Sequence, residues 1–369
     1  MSNWKINKRS AFIILWLVCF ATSLLKGQEL RDTTRKVNFF AIPVLLRTPE
    51  YGWAGGFSGA MLFKTSRPGD SLTRTSAIQT IGFFTSRQVN VQAIDASIFF
   101  PRQKYILLAQ ISHQYFPDKF WGIGPHTADT ALARYTFEHF FSFAHLKKRL
   151  TNHFYAGAMF EIHNVFNITH KPSYAFDSTS FYGKQPYLNI GPGISLSYDS
   201  RNNSYWPTKG WLIVNQVSFA RKELFATYDF TKWICDLRWY RKIHGAHTFA
   251  CQLYSYRTYG NTPLRDLAAL GGANNLRGLY SGRFRGYNLV SFMGEYRVVI
   301  YKKLSGVIFG GTGTVYENTN EINNATLKYN FGGGLRFSVL EKERFNLRLD
   351  YGYSDRNNKA FYFTAGESF

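Results

Sequence analysis

From Lys36 onward the chain repeats one unit, about ten residues of alternating apolar and polar side chains followed by a turn. Between Tyr187 and Asp199, Leu188, Ile190, Ile194, Leu196 and Tyr198 fall on one face. Asn189, Gly191, Gly193, Ser195, Ser197 and Asp199 fall on the other. Leu289 to Ile300 repeats the pattern, with Val290, Phe292, Tyr296, Val298 and Ile300 set against Ser291, Glu295 and Arg297. In Arg344 to Tyr353, Phe345, Leu347, Leu349, Tyr351 and Tyr353 oppose Asn346, Arg348, Asp350 and Gly352. Charges on the second face would be costly in a sandwich core but cost little in a watery lumen. The pattern therefore predicts an all-β fold, an antiparallel transmembrane β-barrel with lipid on one face of each strand.

Sixteen strands are expected, at 37–47, 53–64, 77–86, 90–100, 104–115, 133–144, 152–163, 185–198, 210–221, 226–241, 247–258, 289–300, 305–317, 328–339, 343–354 and 360–369. An even count puts both termini on one side, the periplasm for an outer-membrane barrel. The connections at 101–103, 145–151, 199–209, 242–246, 301–304 and 340–342 then lie with the termini. The longer ones at 116–132, 164–184 and 259–288 face outward. Thr65 to Ser76 is long for a periplasmic turn, and nothing in the sequence explains it.

Before the first strand, Lys5, Lys8 and Arg9 precede the apolar run Ala11–Ala21, which has signal-peptide length and is shorter than a spanning helix. Residues 1–27 are expected to be a cleaved signal peptide, with an uncleaved anchor as the other reading, and 28–369 to be the barrel. No run of about 18 apolar residues follows, which excludes a helical membrane protein.

Composition agrees with interleaved faces: 18% of residues are aromatic, yet the mean hydropathy is −0.23. The formal charge is +21, about +17 without the leader's cations. The Lys and Arg are scattered along strand-like segments with no nucleic-acid-binding signature, so an anionic lipid surface or a basic lumen is expected rather than nucleic acid. Cys19 lies in the leader. Cys235 and Cys251 are read as small outward-facing residues, a facing pair across a hairpin near His244-Gly245 being the alternative.

Two segments resemble a known family. One is Asp199-Ser200-Arg201-Asn202-Asn203 followed by Pro207-Thr208-Lys209-Gly210. The other is Leu270-Gly271-Gly272, Leu276-Arg277-Gly278-Leu279-Tyr280 and Gly294-Glu295-Tyr296-Arg297. Together they resemble the BamA/TamA superfamily of outer-membrane proteins, also called the bacterial surface antigen family. The resemblance implies a sixteen-stranded barrel whose sixth outer loop, here near 259–288, folds into the lumen. Its Arg-Gly-aromatic motif would clamp the loop to the wall through Arg277, Gly278 and Tyr280, with Glu295 as acidic partner. An Arg fork accepted by a carboxylate fixes a mobile segment in one pose.

This sequence departs from the family pattern at Leu279, which stands where the aromatic is expected. A second wall acid, which some relatives place on strand thirteen, falls at Gly311, so the clamp is expected to rest on Glu295 alone. Phe369 is expected to close the last strand as the signal read by the barrel-assembly machinery. The resemblance is expected to be that of a short form lacking the polypeptide-transport-associated (POTRA) domains of assembly and secretion members, with a separate POTRA-bearing chain as an expected partner.

No catalytic triad, metal-ligand spacing or phosphate cradle is found, so no catalytic residue, metal or cofactor is expected. The functional expectation is a role in outer-membrane protein assembly or translocation, with client proteins, outer-membrane lipid and lipopolysaccharide as partners. A passive anion-favouring pore or surface-binding barrel is the alternative.

Overall fold

The computed structural model describes residues 37–66, 70, 72–318, 326–340, 344–355 and 358–369. The expected leader lies outside them. Among the described residues no helix is long and apolar enough to cross a membrane. Sixteen antiparallel strands close into a barrel.

The first half of the wall is β1 (Val37–Thr48), β2 (Gly52–Phe63), β3 (Ser76–Thr85), β4 (Asn90–Phe99), β5 (Tyr105–Phe120), β6 (Ala133–Arg149), β7 (Phe154–His170) and β8 (Tyr187–Asp199). Next come β9 (Gly210–Ala220), β10 (Phe230–Lys242) and β11 (His247–Gly260). Two short strands, β12 (Ala268–Leu270) and β13 (Phe284–Gly286), pair only with each other inside the following connection. The wall resumes with β14 (Asn288–Tyr301), β15 (Leu304–Tyr316), β16 (Lys328–Leu340), β17 (Phe345–Ser354) and β18 (Asn358–Ala365). The expected twelfth strand is thus β14. The end at which β1 begins and β18 finishes is called the near end, the other the far end.

Alternation sorts the wall as expected. On β8, Tyr187, Asn189, Ser195 and Ser197 are buried inward, while Ile194, Leu196 and Tyr198 are exposed outward. Strands β5 and β7 run several residues further at the far end than the pattern predicts, and β6 runs on to Arg149 at the near end. At the far end the outward face turns polar: His113 pairs with Glu138 at 3.1 Å, and Asn167 donates to Glu138 at 2.8 Å. Above the apolar belt neither face is lipid-like, so the two-residue hydrophobic period fades although pairing continues. Cys235 and Cys251 are free thiols; their register partners are Ser255 and Trp239, so they do not face each other.

In the long connection 64–75, the Arg74 side chain meets Asp199 of β8 at 2.8 Å. Asp70 fixes the shape of this connection, accepting from the backbone of Leu72, Thr73 and Arg102. These hydrogen bonds, that of the Thr73 hydroxyl above all, hold the Asp70 carboxyl at a pKa of about 2.

Closure differs from an ordinary strand pair. β1 matches β2 over its whole length, but its register with β18 is the pair Arg47–Phe363. Continued, that register would bring Phe369 opposite Ala41. Instead β18 stops at Ala365 and the chain turns at Gly366 (φ +78°) into the lumen. Phe369 is buried there with Tyr240, Ala250 and Met293, its oxygen accepting from Arg297 at 3.1 Å. The expected last strand 360–369, closed by Phe369, is corrected accordingly: burial of the ring and the Arg297 bond favour the inward turn. Toward the near end, β1 has no strand partner on the β18 side among the described residues.

Candidate functional site

The connection 261–287 folds back inside the barrel. Leu276 and Leu279 are fully buried with Leu270, Phe284, Leu289 and Val315. Full burial of each leucine is worth roughly 1.5–3 kcal/mol. That apolar seat places Arg277 against the wall, completely buried, with its guanidinium 3.4 Å from the centre of the Phe309 ring. Nη2 donates to Glu295 of β14 at 2.6 Å, and Nη1 to Asp350 of β17 at 2.7 Å. Asp350 supplies a second acid, so the clamp does not rest on Glu295 alone. It faces inward from β17, fully buried.

The acids are shared. Arg297 donates to Glu295 at 2.9 Å and Arg336 to Asp350; Arg336 also pairs with Glu367 at 2.8 Å. Ser368 donates to Glu295 at 2.7 Å, so the inward tail belongs to the same network. Arg348 ties the loop's approach, donating to Ala273 O and to Asn274.

Glycine makes the close approach possible. Gly278 has φ +114°, and a Cβ there would lie 2.9 Å from the Ser354 side chain. Its N–H donates to the Tyr362 hydroxyl, which in turn donates to Leu279 O. On the wall, a Cβ at Gly352 would come within 2.7 Å of the Arg277 backbone. Leu279, where an aromatic was expected, fills the apolar seat, while Tyr280 turns toward the far end and donates to Asp118 at 3.1 Å.

Asp118 was not foreseen. It accepts from Tyr135, Arg265 (2.7 Å), Arg285 (3.0 Å) and Tyr280, which makes it the loop's second anchor. It lies in the part of β5 read as an outward connection, so its inward face was hidden. A third anchor joins Asp266 to His163 (3.2 Å) and Asn189 (3.4 Å). Arg283 pairs with Asp129 in the connection 121–132, and Glu50 accepts from Ser281 N.

From the near end, the turn with Asp199 and Pro207 also enters the lumen. Asp199 accepts from the Arg201 side chain at 3.0 and 3.1 Å. Gly210, at φ +108°, passes so close to Ser200 O that a Cβ would lie 2.3 Å from it. Asn203 accepts from the backbone of Tyr205 and Trp206, an Asx turn. Beside buried Pro207, it sends Trp206 inward against Val307 and Phe309 of β15. Arg297 lies 5.1 Å over the Trp206 ring. Arg277, Glu295, Arg297 and Trp206 thus form one stack in which the two ingrown segments meet. Among the described residues no group of His, Cys, Asp or Glu is arranged to hold a metal.

Comparison with known proteins places this architecture. No curated protein matches. Among solved structures, BamA from Haemophilus ducreyi lacking POTRA domains 1–3 is similar at 11% identity and a TM-score of 0.56, over 90% of this chain and 70% of that one. CdiB from Escherichia coli is similar at 10% identity and a TM-score of 0.60, over 91% of this chain and 63% of that one. CdiB from Acinetobacter baumannii is similar at 13% and 0.56, over 91% and 60%. The chain therefore spans less than two thirds of either CdiB. At these identities the likeness concerns the fold. The model of the Omp85 superfamily domain matches residues 96–369, and the chain accordingly belongs to the Omp85 superfamily, as a barrel of the bacterial outer membrane.

Proposed function

We propose that this barrel serves outer-membrane protein assembly or translocation, with client chains meeting it at the β1–β18 seam rather than passing down its lumen. The observation that carries this reading is the contrast between lumen and seam. The lumen is crossed by the Arg277–Glu295–Arg297–Trp206 stack, while β1 keeps an edge unmatched by β18 toward the near end. An unpaired edge offers N–H and C=O groups that template an incoming strand. The two longest connections, 171–186 and 261–287, lie at the far end, which supports an outward-facing far end and periplasmic termini. In this reading the chain is not an enzyme. Its partners are client chains, outer-membrane lipid and lipopolysaccharide, a separate POTRA-bearing periplasmic chain, and the assembly machinery for its own insertion.

The test is photo-crosslinking in cells from Phe39 on β1, outward and 69% exposed, with Leu347 on the outward face of β17 as control. Capture of immature outer-membrane chains or a periplasmic partner from Phe39 only is the expected result. Equal or absent capture at both positions, with a steady anion current through the purified barrel, would overturn it in favour of the pore.

A further inference from the structure

The near end carries a ring of cations. Six of its seven connections, or the strand ends beside them, present an exposed lysine: Lys64, Lys104, Lys148, Lys209, Lys242 and Lys302. The seventh includes residues outside the described set. Among the described residues of these connections, the acids Asp70 and Asp199 are already engaged, the first by Thr73 and Arg102, the second by Arg74 and Arg201. At the far end, exposed acids such as Asp129 and Asp177 stand among the basic residues.

Directly above the ring lies an outward aromatic girdle that includes Tyr198, Trp211 and Tyr301. The Lys302 ammonium sits 5.1 Å over the Tyr301 ring and that of Lys104 5.8 Å over Tyr105. Aromatic side chains at this level mark the boundary between hydrocarbon and headgroups. Cations just beyond it lie where headgroup phosphates are.

We propose that the near-end ring is a collar for anionic phospholipid headgroups, selecting lipids with net negative charge around the barrel's rim. A protein partner covers one side of a rim; a headgroup layer surrounds it. The lysines follow the second geometry, spaced from β2 round to β15. Each exposed lysine near an anionic surface adds to the attraction, which salt screens. The collar is independent of how clients reach the seam.

The experiment uses the full chain in nanodiscs of mixed phosphatidylethanolamine and phosphatidylglycerol, with native mass spectrometry of the lipids retained on release. The wild type is expected to retain phosphatidylglycerol well above its bulk fraction. The variant K104Q/K148Q/K242Q/K302Q should lose about tenfold of that enrichment, as should 1 M salt. The far-end variant K171Q/K184Q/K222Q should keep it. Heat-modifiable mobility on gels verifies that each variant is folded. An enrichment insensitive to the near-end substitutions, or lost equally in the far-end variant, would overturn the collar. No preference in the wild type would also overturn it and leave an acidic protein as the ring's partner.

Discussion

Replacing Arg277 with methionine tests the clamp most directly. Breaking a buried ion pair by removing one partner costs about 3–5 kcal/mol, because the remaining charge is stranded. Here neither acid is left without a cation. Glu295 keeps Arg297 and Asp350 keeps Arg336, so R277M belongs at the lower end, about 3 kcal/mol. E295A leaves Arg277 and Arg297 sharing one fewer carboxylate, and Arg297 bonds to no other acid side chain among those described. It belongs at the upper end, about 5 kcal/mol. Since each 1.4 kcal/mol is tenfold, the opening equilibrium of residues 273–279 should rise by about 150-fold in R277M and by several thousand-fold in E295A. Amide hydrogen exchange reads this locally. The β14–β17 ladders should stay protected, because their register bonds do not involve Arg277. Equal effects of the two variants, or unchanged exchange in both, would refute the shared-acid account.

Three further outcomes are expected. D118N should loosen the far half of the same loop and leave 273–279 protected, since Arg265, Arg285 and Tyr280 all bond to Asp118; limited proteolysis between 280 and 287 reads it. Deleting 265–288 should give little current in planar bilayers while Trp206 still crosses the lumen, and adding W206A should raise the conductance severalfold; a full current in the loop deletion alone would contradict the double closure. Asp70 has its pKa depressed from 3.8 to about 2, so its support of the 64–75 connection is complete above pH 4 and lost as pH falls through 2. Amide protection at Leu72 and Thr73 should follow that window in the wild type and be flat in D70N.

The barrel was legible because lipid and lumen impose a two-residue period on every strand, and that period is written in Tyr187–Asp199 as plainly as in the fold. Arg277 was legible through the family resemblance of its motif, and Glu295 as its partner through the alternation that turns it inward. Asp350 was visible as an inward residue of β17, but its partnership was not, since sequence spacing does not tell which wall strand a folded-back loop will touch. Asp118 was hidden because β5 continues beyond the apolar belt, where the hydrophobic signal ends but hydrogen bonding does not. The inward turn at Gly366 was masked because Phe361, Phe363, Ala365 and Phe369 share one face, which Glu367 alone interrupts. The pairing of Arg74 in the 64–75 connection with Asp199 on β8 was not legible either, since it joins segments far apart in the sequence.

The sixth loop's anchors also fix an order of events in folding. Ser281 reaches back 231 residues to Glu50, and Arg277 forward 73 residues to Asp350. Such contacts repay their loop-closure entropy only late, after both ends of the chain are in place. Tyr362, on the final strand, is the hydroxyl that holds Gly278 and Leu279. The loop can therefore be fully seated only in a barrel whose last strand has arrived, and a chain truncated before β18 would carry the loop without its last fastening. Docking of the loop thus reports completion of the wall.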